Sequence, residues 1–192
     1  VRKWKRVNTP DGPRFRSALE PHEAALLHNM VGSIVGMLDE REEDAPRDEL
    51  SELTGIRTGH SSPPEDDTMA RILPDFYRPQ TDHPAGSGTA DSLNSALRSL
   101  HEPEIIDAKR DAAARVLSTC PSGGGRLEIS EDDANAWIAA VNDVRLALGT
   151  MLDIDPDTPD RLAPEHPMAG HLEVYHWLTV LQEYLVLALM GK

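Results

Sequence analysis

Residues 168–190 read MAGHLEVYHWLTVLQEYLVLALM, and this stretch decides how the rest of the chain must be arranged. Leu172, Tyr175, Leu178, Leu181, Leu185 and Leu189 recur at helical spacing. Val174, Trp177, Val180, Val186 and Leu187 widen the stripe until, past Trp177, it covers most of the circumference. A helix apolar nearly all round must be buried on several sides. Gln182 and Glu183 interrupt the dense part, which is too short for a membrane span. The stretch therefore predicts the central helix of a soluble core, or one half of a homodimer interface.

The neighbouring segments predict what packs on it. Ser130-Glu131-Asp132-Asp133 has the pattern of a capping box, and the helix it opens carries Trp137, Val141, Val144, Leu148, Met151 and Leu152. Arg126-Leu127-Glu128-Ile129 alternates and reads as a short strand. At the other end, Pro10-Asp11-Gly12 lies between two extended runs. Proline presets φ and glycine accepts the left-handed position, so residues 2–19 predict a β-hairpin. A lone hairpin is marginal, and the 126–129 strand is its candidate third member. Pro21 then opens a helix with an apolar face of Leu27, Met30, Val31, Ile34, Val35 and Leu38, down to about Arg41. Gly32 and Gly36 lie on one side of it and suggest a close helix crossing.

From 40 to 90 the chain is acidic and proline-rich. It holds short helical pieces at Asp48–Thr54 and Met69–Leu73 and a loop at 78–87. A helix with Leu93, Ala96, Leu97 and Leu100 follows. It is expected to break near Pro103, before a second helix over Glu104–Thr119. The fold expected is α+β and mainly helical: four to six helices around the central C-terminal helix, with a small three-stranded antiparallel sheet. It reads as a single domain over 1–192 with a loosely ordered segment at about 40–90.

Carboxylates outnumber basic side chains 33 to 19, for a net charge of -14. Such a surface repels phosphate backbones and anionic lipid, so direct nucleic-acid binding is expected to be weak or local at most, and no membrane contact is expected. Against this balance Arg2, Lys3, Lys5, Arg6, Arg14 and Arg16 crowd the first sixteen residues. They form a candidate docking patch for an acidic partner. The solvated face of a hairpin, with Trp4 and Phe15 turned inward, is the plainer reading.

The chemistry-bearing motifs are thin. Glu173-x-x-His176 is half of a di-iron helix motif without its second copy. His22 and His28 do not have zinc-protease spacing, and Gly123-Gly124-Gly125 lacks the lysine of a phosphate loop. No metal, no cofactor and no enzymatic activity are expected. Cys120 is the single cysteine, so no internal disulfide can form. It follows a helix C-terminus, the wrong end of the dipole for lowering a thiol pKa. It is a candidate redox thiol, with an inert cysteine as the plainer reading. A reducing cytoplasm suits this count.

The opening RKWKRVNTPDGPRFRSALEPHEAALL and the closing EISEDDANAWIAAVNDVRLALGTMLDI with VYHWLTVLQEYLVLAL resemble an actinobacterial family. That family was long labelled a domain of unknown function. It has been put forward as oxidation-sensing transcription regulators, the AosR-like proteins. The resemblance covers nearly the whole chain and is most divergent at 40–90. It implies a cytoplasmic regulator that responds to oxidants through cysteine chemistry. It further implies action with a sigma factor of RNA polymerase rather than through a strong DNA-binding motif. An internal-disulfide sensor needs two thiols. With Cys120 alone, the switch is intermolecular or this member has lost it. A protein-interaction adaptor or scaffold without redox sensing is the alternative.

Overall fold

The computed structural model describes residues 2–46, 55, 57–77, 87–155, 157–159 and 161–192. In chain order the elements are β1 (Lys5–Thr9), β2 (Gly12–Leu19), α1 (Pro21–Glu43), α2 (Asp67–Ile72), α3 (Ser87–Thr119), β3 (Gly125–Ser130), α4 (Glu131–Met151) and α5 (Ala169–Leu189). The fold is α+β and mainly helical, with one small antiparallel sheet of order β1-β2-β3. Two compact units divide the chain. One comprises Val1–Val35 and Lys109–Lys192, the other Gly36–Ala108.

In the first unit the hairpin and β3 pair as their alternation predicts. Lys5 faces Arg16 and Arg6 faces Phe15 across β1 and β2, and Phe15 faces Ile129 across β2 and β3. Phe15, Leu127 and Ile129 are buried on the inner face, where Trp4 meets Trp137 edge-on at 5.6 Å. The capping box at Ser130 is complete. Ser130 Oγ accepts from the Asp133 amide, and the Asp133 carboxylate accepts from the Ser130 amide. Each such cap is worth about 1 kcal/mol.

The helix α4 buries Trp137, Val141, Val144 and Leu148, while Met151 stays exposed. Helices α4 and α5 run antiparallel, because the contacts between them descend one as they climb the other. Gln182 Nε2 donates to the Ile138 carbonyl, Arg145 Nε donates to Thr179 Oγ1, and Gly149 lies against Tyr175. The C-terminal helix buries Leu172, Leu178, Leu181, Leu185 and Ala188. Its sides are only half-buried at Val174, Trp177, Val180 and Leu187, and Val186 is exposed.

The glycine run after Cys120 has a steric reason. Gly124 has φ +73°, and a Cβ there would lie 2.7 Å from the Pro21 nitrogen and 2.9 Å from the Leu19 oxygen. The turn is built against the junction of β2 and α1, where only glycine fits.

In the second unit three expectations are corrected. Residues 87–119 form one helix, with Pro103 inside it, instead of two helices broken there. Proline lacks the N–H that would bond the carbonyl four residues back, at Ser99. That carbonyl is taken by the Gly59 amide at 2.8 Å. The missing helix bond is thereby replaced from another segment. Second, the Leu93–Leu100 stripe does not face a core: Leu93 and Leu100 are exposed, and Arg98 is buried instead. Third, and outside this unit for Gly32, a Cβ on Gly32 or Gly36 would meet nothing within 4 Å among the described residues, so neither glycine marks a close crossing there. The helix expected at Met69–Leu73 is α2, capped by Asp66, whose carboxylate accepts from the Met69 amide. The short helix expected at Asp48–Thr54, and the loop at 78–86, lie outside the described residues.

The described part of 57–77 is held by charge. Arg98, 1% exposed, donates to Glu102 at 2.7 Å, to Asp75 at 2.9 Å and to the Leu73 carbonyl at 3.2 Å. Arg41 donates to the other oxygen of Glu102 at 2.9 Å and to the Ser62 carbonyl at 2.6 Å. The Phe76 ring covers the Arg98 guanidinium at 5.8 Å. Arg57 reaches Asp107 at 2.7 Å and also Glu42, and burial is outweighed there by the Asp107 hydrogen bond, which raises the guanidinium pKa.

Candidate functional site

Strand parity sorts the six basic residues of the N-terminus. Side chains of a strand alternate between faces, so partners in register share a face. Phe15 and Ile129 define the inner face, hence Lys5, Arg14 and Arg16 lie on the outer one. Glu128 and Arg126 join them, because Arg16 pairs with Glu128 and Ala18 with Arg126. Arg2 and Lys3 flank the same face, and a shallow trough runs between Arg2, Lys3, Lys5, Arg16 and Arg126 over Ala18.

Arg6 is the exception. It sits on the inner side, opposite Phe15, and Nη1 donates to the Leu189 carbonyl at 3.3 Å. A cation at the C-terminal end of α5 meets the negative end of the helix dipole. Sequence reasoning therefore grouped one residue too many and missed Arg126. The signal for Arg126 was present: Leu127 and Ile129 are the apolar members of β3, so Arg126 and Glu128 had to face the other way.

The partners of these cations differ. Arg2 pairs with Glu20 at 2.8 Å, and Arg16 pairs with Glu128. Lys3 lies over the Tyr184 ring at 5.6 Å. For Lys5, Arg14 and Arg126 no ion pair is formed among the described residues. Exposed pairs such as these contribute about 0–1 kcal/mol, so the face adds little to stability.

Cys120 lies in a different setting. It is 4% exposed, and burial pushes its thiol up to about 11. At neutral pH the thiolate is then roughly one molecule in ten thousand. His28 Nε2 donates to the Cys120 carbonyl at 3.0 Å, which fixes the backbone of this helix end. The His28 ring thus holds its proton on Nε2.

Asp143 and His176 also place polar atoms in the interior of this unit. Asp143 is held by Lys109 at 2.7 Å, and burial pushes its carboxyl pKa up against that pairing. His176 Nε2 is buried without a hydrogen bond among the described residues. Its neighbour one helical turn away, Glu173, is exposed. No cluster of three or more metal-binding side chains occurs among the described residues, and no described helix is long and apolar enough to cross a membrane.

No solved structure matches this chain. Its sequence does have relatives: the chain belongs to the family described as Domain of unknown function (DUF2017), which it matches over residues 1–189. Proteins named "Oxidative stress regulator AosR" from Mycobacterium tuberculosis (strain ATCC 25618 / H37Rv) and Mycobacterium bovis are 63% identical to it over 195 residues. That match covers 100% of this chain and 89% of theirs. The "Putative oxidative stress regulator AosR" of Mycobacterium leprae is 60% identical over the same length.

Proposed function

We propose that this chain is a transcription regulator of the oxidative-stress response that acts by protein contacts, without catalysis, in the cytoplasm. A sigma factor of RNA polymerase is the partner class that the family resemblance implies. The observation that carries the reading is the 63% identity, over the whole chain, to proteins named as oxidative stress regulators. The exposed basic face supports contact with an acidic protein surface, and the net charge of -14 argues against a phosphate backbone. A homodimer remains part of this reading, with the exposed Val186 and Met190 of α5 as its apolar contribution.

Thiol sensing on this chain rests on Cys120, and its burial sets a condition. Oxidation requires local opening of the α3–β3 turn before a thiolate can form. The same burial favours a second reading, an adaptor that binds its partner regardless of redox state. The test is gel filtration and non-reducing electrophoresis of wild type and Cys120→Ser, with and without hydrogen peroxide, alone and with purified sigma factor. An oxidant-dependent change in self-linkage or complex formation that Cys120→Ser abolishes supports the sensor. A complex that forms equally in every arm establishes the adaptor. Absence of any complex with sigma factors or polymerase overturns the partner assignment.

A further inference from the structure

We propose that the outer face of the β1-β2-β3 sheet docks an acidic helical segment of a protein partner, through Lys5, Arg14 and Arg126. This rests on the reading above that the chain works through protein contacts, and it specifies the surface and the chemistry of what covers it.

The first argument is charge bookkeeping. Carboxylates outnumber basic side chains 33 to 19, and many cations find a carboxylate close by. Arg41, Arg57, Arg98, Lys109 and Arg115 all do. Lys5, Arg14 and Arg126 do not, among the described residues; nor do Arg6, Arg71, Arg145, Arg161 and Lys192, but the first three stand together on one face of one sheet.

Spacing gives the second argument. The register places cations on three successive rows of that face: Arg126 beside Ala18, Lys5 beside Arg16, then Arg14 beside Ser130. Alternate residues of a strand are about 6.8 Å apart, so the rows span roughly 14 Å. Acidic side chains at i, i+4 and i+8 of a helix repeat every 6 Å or so along its axis, and can meet all three rows. Ala18 is the small residue in this array, and it leaves the trough into which such a segment can settle.

The third argument separates an acidic protein from nucleic acid. Glu20 and Glu128 stand among the cations, each bonded to an arginine. A uniform phosphate backbone is repelled by both carboxylates and by the whole chain. A helix with acids at chosen positions avoids them.

The probe is a fluorescein-labelled 15-residue alanine-rich helix with glutamates at i, i+4 and i+8, compared with its lysine counterpart and with a 20-base-pair DNA duplex. Binding is read by fluorescence anisotropy at rising salt. The acidic peptide is expected to bind wild type, and the combined Lys5→Gln, Arg14→Gln and Arg126→Gln variant about tenfold more weakly. A control with charge removed elsewhere, Arg71→Gln with Arg161→Gln, is expected to bind within about twofold of wild type. Arg126→Glu alone serves as the second variant if the triple substitution misfolds, with the same direction expected.

The proposal is overturned if the acidic peptide does not bind, if both variants lose binding equally, or if the duplex binds more tightly than the peptide. Sigma-factor capture and oxidant response are measured separately. Their failure with peptide binding intact sinks the regulatory reading and leaves the surface standing.

Discussion

The outer sheet face and the Arg98–Glu102 cluster use the same side chains to opposite ends. Around Glu102, two guanidiniums are held in ion pairs: Arg98 is enclosed by Glu102, Asp75 and the Phe76 ring, with its Nε buried and without a partner among the described residues, and Arg41 holds the remaining carboxylate oxygen. On the sheet, Arg126 carries the same group in the open and Arg14 carries it half-buried, neither with a counter-charge among the described residues. The first arrangement takes charges out of water and depends on every partner staying in place. The second leaves them hydrated and available. A count of arginines says nothing of this difference; exposure and the number of satisfied donors decide it.

The sharpest way to break the contrast is Glu102→Leu. It leaves the buried Arg98 with only the half-exposed Asp75 as counter-charge, and about 3 kcal/mol of stability, the low end for a broken buried pair, should be lost in urea unfolding. Combining it with Arg98→Met should recover most of that loss. If the double variant is as unstable as the single one, the cluster is held by packing and not by charge. Next in size is Gly124→Ala, where a methyl group would meet the β2–α1 junction in a left-handed backbone. A loss of about 1–3 kcal/mol is expected, read in the same way.

Ser130→Ala should cost about 1 kcal/mol at neutral pH by removing the α4 cap. The Ser130 hydroxyl, and after it Arg115, hold the Asp133 carboxyl below its ordinary range, although partial burial opposes them. A carboxylate with a depressed folded-state pKa contributes stability above its unfolded value of about 3.9, and that contribution is lost as pH falls through the folded value. The gap between wild type and Ser130→Ala should therefore be full at pH 7 and shrink below about pH 4. A gap independent of pH would leave the cap without its carboxylate. The smallest effect belongs to the sheet. Neutralising Lys5, Arg14 and Arg126 should move stability by no more than about 0.5 kcal/mol each. A larger loss would mean that these cations serve the fold after all.

What was legible in the sequence was what neighbours in sequence determine. The capping box at Ser130, the turn at Pro10-Asp11-Gly12 and the buried stripe of α4 are written in residues a few positions apart. What was illegible depended on distant partners. The Leu93–Leu100 stripe looks apolar, but Glu102, Asp75 and the Leu73 carbonyl draw Arg98 inward instead. The basic patch was visible as a run of cations, and only the register of three strands separates Arg6 from the others and adds Arg126. The apolar girth of the C-terminal helix correctly marked a core element, although its sides are half-covered.

The bond from Gly59 to Ser99 has a further consequence, for how this chain can change over generations. Pro103 leaves the Ser99 carbonyl unclaimed, and the Gly59 amide claims it. Gly59 in turn must stay small, because a Cβ would come within 3.0 Å of the Pro103 ring. Replace Pro103 alone, and the helix takes Ser99 back and strands the Gly59 amide. Replace Gly59 alone, and the proline ring must give way by a few tenths of an ångström. Each residue therefore constrains the other, and a substitution at one position changes what the other can accept.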